Sequence, residues 1–480
     1  YIAKLGNHPA IVMWVLTNEP TEDHEWEAGP YLQRVHALDP TRPCLRTGET
    51  DFGTDSAVDL HLCDNYSYGP NSRLMVESGR AAAQKDPHRT LCCSEYMNLF
   101  GTREEITRRR LGRPDHPLRD LDRAACAAED TERMRRLRLD MILPYMYARW
   151  ARFRGNDWRP EYATPVAAAL HGAMAPVLAS PDLYDRNYAA GTEVRTPLHL
   201  INELHEKVEL HLDAYLTPDD PLFVPDTAAL EKALWHEERD VLLDADSVRV
   251  DELAWDVPDV QGTYYLALVC RRPGDRPVVS QREIHAVAAP GDVTPCSVAI
   301  AGRDDRLRKW LEAYDLECVD LRDAPKQADA ALVVPGDRAD QDAVIERGGR
   351  AVVVATEGLE GTCLPEFGVE ETTPSSRVFA YEEGAGPLLR GMPERFMMRW
   401  NGSDGDSLPG VIADRFLTGP AVTAGQKLLW VDDPEKPVAV SVAAGKGRVI
   451  ILTLKLLDRL DPGGEAYDPV ADRLLLNALR

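Results

Sequence analysis

Two acidic residues, Glu19 and Glu95, each stand where an apolar run gives way to polar chain. Ile11 to Leu16 run without a charge into Thr17-Asn18-Glu19-Pro20, and Leu91-Cys92-Cys93 run into Ser94-Glu95-Tyr96. Two carboxylates facing one glycosidic bond can divide its cleavage. One protonates the leaving oxygen while the other attacks the anomeric carbon, which for a retaining reaction requires them about 5–5.5 Å apart. Other residues invite chemistry less strongly. His199, His205 and His211 are evenly spaced, but on one strand this spacing separates neighbours by about 20 Å, too far to share a metal. Cys363 is a tempting thiol, yet no histidine follows His285 to activate it. Gly445-Lys446-Gly447 precedes a strand rather than a helix, so it makes a poor phosphate loop. Glu49, Asp51 and Asp64 read as ordinary loop acids.

A continuous apolar run such as Ile11–Leu16 reads as a strand buried on both faces of a parallel sheet. Catalytic residues of barrel enzymes sit just past the C-terminal ends of such strands. Further strands are expected near 42–47, 58–63, 90–93 and 141–147, with helices over 31–38, 73–85 and 165–177. The charged stretch 102–138 reads as one or two solvated helices. Alternation of this kind implies a parallel sheet with helices outside. The interval between Glu19 and Glu95 holds three strand–helix units, which would bring both acids to one cleft. Five strand units are legible where a closed (β/α)8 barrel needs eight. Residues 1–180 are therefore expected to be the C-terminal part of a TIM barrel, its last five strands, with the first three strands and any N-terminal domains lying outside this chain.

The texture changes after that. Alternating apolar residues at 196–216, 263–269 and 278–286 predict an immunoglobulin-like β-sandwich over 181–290. Strand, helix, strand, helix and strand over 296–355 predict a flavodoxin-like α/β domain over 291–480, closed by a helix at 469–479. With 55 basic and 79 acidic residues the net charge is −24, which argues against nucleic acid and anionic membranes as partners. Hydrophobic residues make up 44%, enough for several cores, and no apolar run approaches the roughly 18 residues of a membrane span. The nine cysteines are irregularly placed without a CxxC pair, which favours buried thiols in a reducing, cytoplasmic setting and no structural zinc.

Asn7-His8-Pro9-Ala10-Ile11-Val12-Met13-Trp14-Val15-Leu16-Thr17-Asn18-Glu19 closely resembles the acid/base signature of glycoside hydrolase family 2, which includes β-galactosidases, β-glucuronidases and β-mannosidases. Val35-His36-Ala37-Leu38-Asp39-Pro40-Thr41-Arg42-Pro43 resembles the helix end that follows it, and Leu91 to Tyr96 the nucleophile strand. Asp59 to Tyr66 resembles the strand that supplies a tyrosine to that nucleophile, and Leu170 to Asn187 the join from barrel to sandwich. The resemblance implies that Glu19 is the general acid/base and Glu95 the nucleophile. It implies further that Asn18 hydrogen-bonds the sugar 2-hydroxyl and Tyr66 hydrogen-bonds Glu95. Trp150, with Tyr145 and Tyr147, is a candidate sugar platform. The final domain is similar to inactive class I glutamine amidotransferase-like modules, which serve assembly in some β-galactosidases. The expectation is a retaining, β-galactosidase-like glycosidase that needs no metal or organic cofactor and acts on a carbohydrate, with a homo-oligomer compatible with the sequence. The alternative is a non-catalytic carbohydrate-binding or assembly protein with a decayed site.

Overall fold

A computed structural model of the chain describes residues 2–18, 28–47, 50–51, 61–63, 81, 84–85, 90–96, 121–144, 151–153, 160–221, 226–291, 296–300, 305–320, 328–333, 342–356, 367–375, 377–381, 386–402, 410–431 and 433–480. These fall into two compact units. The first comprises Tyr1–Asp182, Arg195–Leu253 and Tyr265–Arg282, and the second Leu183–Val194, Ala254–Tyr264 and Glu283–Arg480.

In the first unit, strand Trp14–Asn18 leads through helix Ala28–Leu38 to strand Cys44–Thr47, and the two strands pair in parallel. His61–Cys63, Leu91–Tyr96 and Met141–Pro144 form a second parallel ladder, with Thr50–Asp51 antiparallel on its edge. Parallel strands joined by helical crossovers fit part of an α/β barrel. Helices Leu121–Arg136 and Pro165–Ala173 cover the second ladder. Ala124, Ala127 and Met134 from the first helix and Val166, Ala169 and Leu170 from the second pack with Leu91, Cys93 and Tyr96.

Two sequence expectations fail here. The run Ile11–Leu16 is not buried on both faces: Val12 and Val15 are 68% and 53% exposed. Its strand begins only at Trp14, so Ile11 to Met13 precede the paired segment, and among the described residues the strand pairs with a single neighbour. The charged helix Leu121–Arg136 is not solvated. Glu129, Asp130, Glu132, Arg133, Arg135 and Arg136 are all buried, because the helix meets strands beyond the parallel ladder that supply polar partners.

Those strands include Val177–Pro181, which carries Ser180, and Val278–Val287, which carries Ser280 and Arg282. Val177–Pro181 pairs with Glu193–Asn202, and Ser247–Asp256 lies on the other side of the latter. Val208–Thr217 lies between Trp235–Leu243 and Gly262–Arg271. Trp235–Leu243 and Ser247–Asp256 were not evident in the sequence. Trp235–Leu243 terminates its sheet, and edge strands carry charge on their solvent face, which hides the apolar alternation.

The second unit is built on an eight-stranded mixed sheet. Its order is Glu317–Asp320, Ser297–Ile300, Ala330–Val333, Arg350–Val354, Gly447–Leu452, Pro437–Ala444, Gln426–Trp430, Phe379–Ala380. The first five strands run in parallel and the last three alternate. Helices Asp305–Ala313 and Pro469–Leu479 contribute Leu307, Trp310, Leu474 and Leu475 to its main core. Gly445-Lys446-Gly447 forms the turn of a β-hairpin, with Ala444 opposite Gly447 and Gly445 at φ +53°. A Cβ on Gly447 would lie 2.1 Å from the Gly349 carbonyl, so these glycines serve chain reversal and close strand approach, not anion binding. Among the described residues, no helix is long and apolar enough to cross a membrane.

Candidate active site

The first half of the expected site hangs on strand Trp14–Asn18. Asn18 ends that strand opposite Thr47, and the register is irregular between Val15 and Asn18. Glu19 lies outside the described residues, as do Tyr66, Tyr145, Tyr147 and Trp150. The start of the strand is held by a clamp. Asp39, buried just past helix Ala28–Leu38, accepts from the Trp14 indole at 2.9 Å, from the Thr41 hydroxyl at 2.6 Å and from Arg42 at 2.8 Å. Arg42 also donates to the carbonyls of Ile11 at 2.6 Å and His8 at 3.3 Å. The Thr41 and Trp14 hydrogen bonds, with Arg42 beside them, hold the Asp39 carboxyl well below the usual carboxylate range. The Asp-Pro-Thr-Arg stretch thus fastens the chain that runs towards Asn18, a role its sequence alone does not disclose.

The second half hangs on Leu91–Tyr96. Cys92 pairs with Met141 and Cys93 with Ile142, but the register then slips before Tyr96 meets Pro144. The slip breaks the two-residue alternation. Leu91, Cys93 and Tyr96 share one cluster against the helices, while Cys92 packs with Met13 and Met141. Glu95 belongs to the strand at this irregularity. Bulges are frequent beside active sites because they re-aim a side chain at a strand end. Tyr96 is anchored by a 2.7 Å hydrogen bond between its hydroxyl and that of Thr131, which in turn donates to the Ala127 carbonyl at 2.7 Å. Burial drives the Tyr96 phenol far above its ordinary value, so it stays neutral. At the other end of the strand, Asp140 accepts from the Leu91 amide at 2.8 Å.

Helix Leu121–Arg136 is itself locked from behind. Glu132, 1% exposed, accepts through one oxygen from Ser180, Ser280 and Arg282, each at 2.7 Å. Arg136 donates to Ser180 at 2.7 Å and lies 3.2 Å from Asp182. Arg135 reaches Glu203 at 3.1 Å and the Ala173 carbonyl. A hollow of about 320 Å³ lined by Arg135, Arg138, Asp140, Met141, Glu203 and Asp246 lies at the N-terminal start of strand Met141–Pro144. Parallel barrels place their chemistry at the opposite, C-terminal ends, so this hollow is not the expected cleft.

The three evenly spaced histidines part company. His199 is half-buried on Glu193–Asn202, and burial lowers its pKa. His205 stands at the surface, 2.8 Å from Asp246. His211 points its Nδ1 at Asp240, 2.8 Å away on the neighbouring strand. Cys363 lies outside the described residues. No disulfide joins the described cysteines, and burial pushes the Cys270 thiol up to about 12, which keeps it protonated.

Residues 1–105 match the family described as glycosyl hydrolases family 2, TIM barrel domain. The chain is 39% identical over 67 residues to a beta-glucuronidase from Pongo abelii, a stretch covering 12% of this chain and 10% of that protein. The match thus spans about a tenth of that relative. Among solved structures, the chain resembles an exo-chitosanase from Amycolatopsis orientalis at 12% identity and a TM-score of 0.34, over 59% of this chain and 37% of that one. It resembles an endo-beta-1,4-mannanase from Thermotoga petrophila at 11% identity and a TM-score of 0.25, over 55% of this chain and 60% of that one.

Proposed function

We propose, because the N-terminal part of this chain is related to glycoside hydrolase family 2, that it carries the carboxylate pair of a retaining, β-galactosidase-like glycosidase. The supporting observation is the register slip of strand Leu91–Tyr96 between Cys93 and Tyr96, the interval that holds Glu95, at the C-terminal end of a parallel strand. In this reading Glu19 protonates the departing oxygen while Glu95 attacks the anomeric carbon and forms a glycosyl-enzyme. Glu19 then takes a proton from a water whose oxygen attacks the anomeric carbon and displaces the Glu95 carboxylate, releasing the sugar with net retention. Asn18 holds the 2-hydroxyl, Tyr66 hydrogen-bonds Glu95, and Trp150 lines the sugar site. Residues 1–180 are read as the barrel part and 181–290 as an immunoglobulin-like sandwich. Residues 291–480 are read as an amidotransferase-like assembly module without its own chemistry.

The test uses the longest natural chain containing these residues and an aryl 2-deoxy-2-fluoro-β-glycoside. Fluorine slows hydrolysis of the glycosyl-enzyme, so mass spectrometry should find the sugar on the peptide holding Glu95. Glu95→Gln should remove label and turnover, the latter by on the order of a thousandfold or more. Label on another carboxylate, or undiminished turnover by Glu95→Gln, would overturn the assignment.

A further inference from the structure

The sandwich strands carry a second constellation, unconnected with the carboxylate pair. On Val208–Thr217, His211 and Asp213 project to one face, two residues apart. Across the antiparallel ladder, Asp213 faces Glu238 and His211 faces Asp240, while His236 lies one step further along, opposite Tyr215. This register gathers side chains that are far apart in sequence. His236 Nε2 is 3.2 Å from Asp213 Oδ1. His211 Nε2 is 3.6 Å from the same oxygen and 3.8 Å from Glu238 Oε2.

We propose that His211, His236, Asp213 and Glu238 form a binding site for a divalent transition metal of the zinc class, bridging strands Val208–Thr217 and Trp235–Leu243. The ligand atoms of His211, Asp213 and Glu238 lie within 4.8 Å of one another, and His236 reaches the group through Asp213. Zinc bonds of about 2.0–2.2 Å in a tetrahedron put donor atoms roughly 3.3–3.5 Å apart. The charge suits the ion: three carboxylates, counting Asp240, face the guanidinium of Arg271, leaving an excess of negative charge for a dication to neutralise. Arg271 Nε donates to Asp213 Oδ2 at 2.8 Å, which fixes the carboxylate and leaves Oδ1 towards the histidines. Asp240 Oδ1 lies 2.8 Å from His211 Nδ1. A proton held there makes Nε2 the lone-pair nitrogen, the carboxylate–histidine–metal arrangement that raises ligand basicity. Two imidazoles among the donors disfavour calcium and magnesium, which take oxygen ligands. Both rings are partly exposed, so an ion can enter from solvent.

The test is titration of the full chain with Zn²⁺ by calorimetry, and with Co²⁺ by absorption spectroscopy. One Zn²⁺ per chain is expected at this site. Co²⁺ should produce intense tetrahedral d–d bands without a sulfur-to-cobalt charge-transfer band, which separates the site from any cysteine cluster. His211→Ala and His236→Ala should each abolish the bands. Asp240→Asn should weaken binding by about 10–100-fold, as loss of an outer partner does. His205→Ala, an exposed histidine on a different carboxylate, should leave binding intact. Circular dichroism of each variant without metal confirms its fold. Absence of Zn²⁺ and Co²⁺ binding, binding unchanged in both His211→Ala and His236→Ala, or preference for Ca²⁺ over Zn²⁺ would overturn the proposal.

Discussion

Asp39 illustrates how a residue outside the expected chemistry governs the segment that carries it. Its carboxylate gathers Trp14, Thr41 and Arg42, and Arg42 extends the grip to the carbonyls of His8 and Ile11. The clamp needs the ionised carboxylate, and these hydrogen bonds depress its pKa below the unfolded value. The linkage therefore has a definite sign. The contribution is present above the ordinary carboxylate range and is lost only as pH falls through the depressed folded value. Asp39→Ala should speed hydrogen exchange at the amides of Trp14 and Thr41 by on the order of tenfold at neutral pH, with distant amides unchanged. Mass-spectrometric exchange on peptides spanning 8–18 and 39–47 would measure it. Unchanged protection there would remove Asp39 from this role.

At the scale of elements, helix Leu121–Arg136 matters most. Its apolar residues press on the strand of Glu95 through Tyr96, and its charged residues face the antiparallel strands through Glu132. A buried ion pair is weak evidence of net stabilisation, but breaking one leaves a desolvated charge behind. Arg282→Met should therefore destabilise the first unit by about 3–5 kcal/mol, because Glu132 would keep only Ser180 and Ser280. Pairing it with Glu132→Met should restore most of that loss. Chemical denaturation of the two variants and the double variant forms the cycle, and a double variant no more stable than Arg282→Met would refute the coupling.

At the scale of the molecule, the second unit carries its own pH dependence. Asp468 is fully buried before helix Pro469–Leu479 and caps it by accepting from Val470 at 2.9 Å. It also accepts from Asn187 at 3.0 Å and Asn401 at 2.9 Å. Burial pushes its carboxyl from 3.8 up to about 7, against those hydrogen bonds. Asp472, held by Trp310, Tyr314 and Tyr467, is pushed up to about 6, again by burial. An acid raised on folding binds more protons folded than unfolded, so stability is greatest near pH 4 and falls as pH rises towards 7. For Asp468 the fall is at most about 4 kcal/mol at about 1.4 kcal/mol per unit. Asp468→Asn keeps a capping side chain and should flatten the slope of denaturation free energy between pH 4 and 7. An unchanged slope would reject this account.

Much of the local structure was legible because it rests on patterns within a few residues. Helix Pro469–Leu479 follows from its periodicity behind Asp468-Pro469, and the strands ending at Asn18 and Tyr96 follow from apolar runs meeting polar ones. The relation to a glycosidase family was also legible, since the stretches around Asn18 and Leu91–Tyr96 are contiguous. What the sequence could not supply were facts of register and burial. Helix Leu121–Arg136 reads as solvated because its charges are visible and their partners, Ser180 and Arg282, are remote. His211 was compared with His199 and His205 along its own chain segment, whereas strand pairing brings it to Asp213, Glu238 and Asp240. Pairing depends on where two strands meet after an intervening loop, a long-range choice set by the burial of whole faces. Tertiary structure alone decides which charges lie together and which of them leave water.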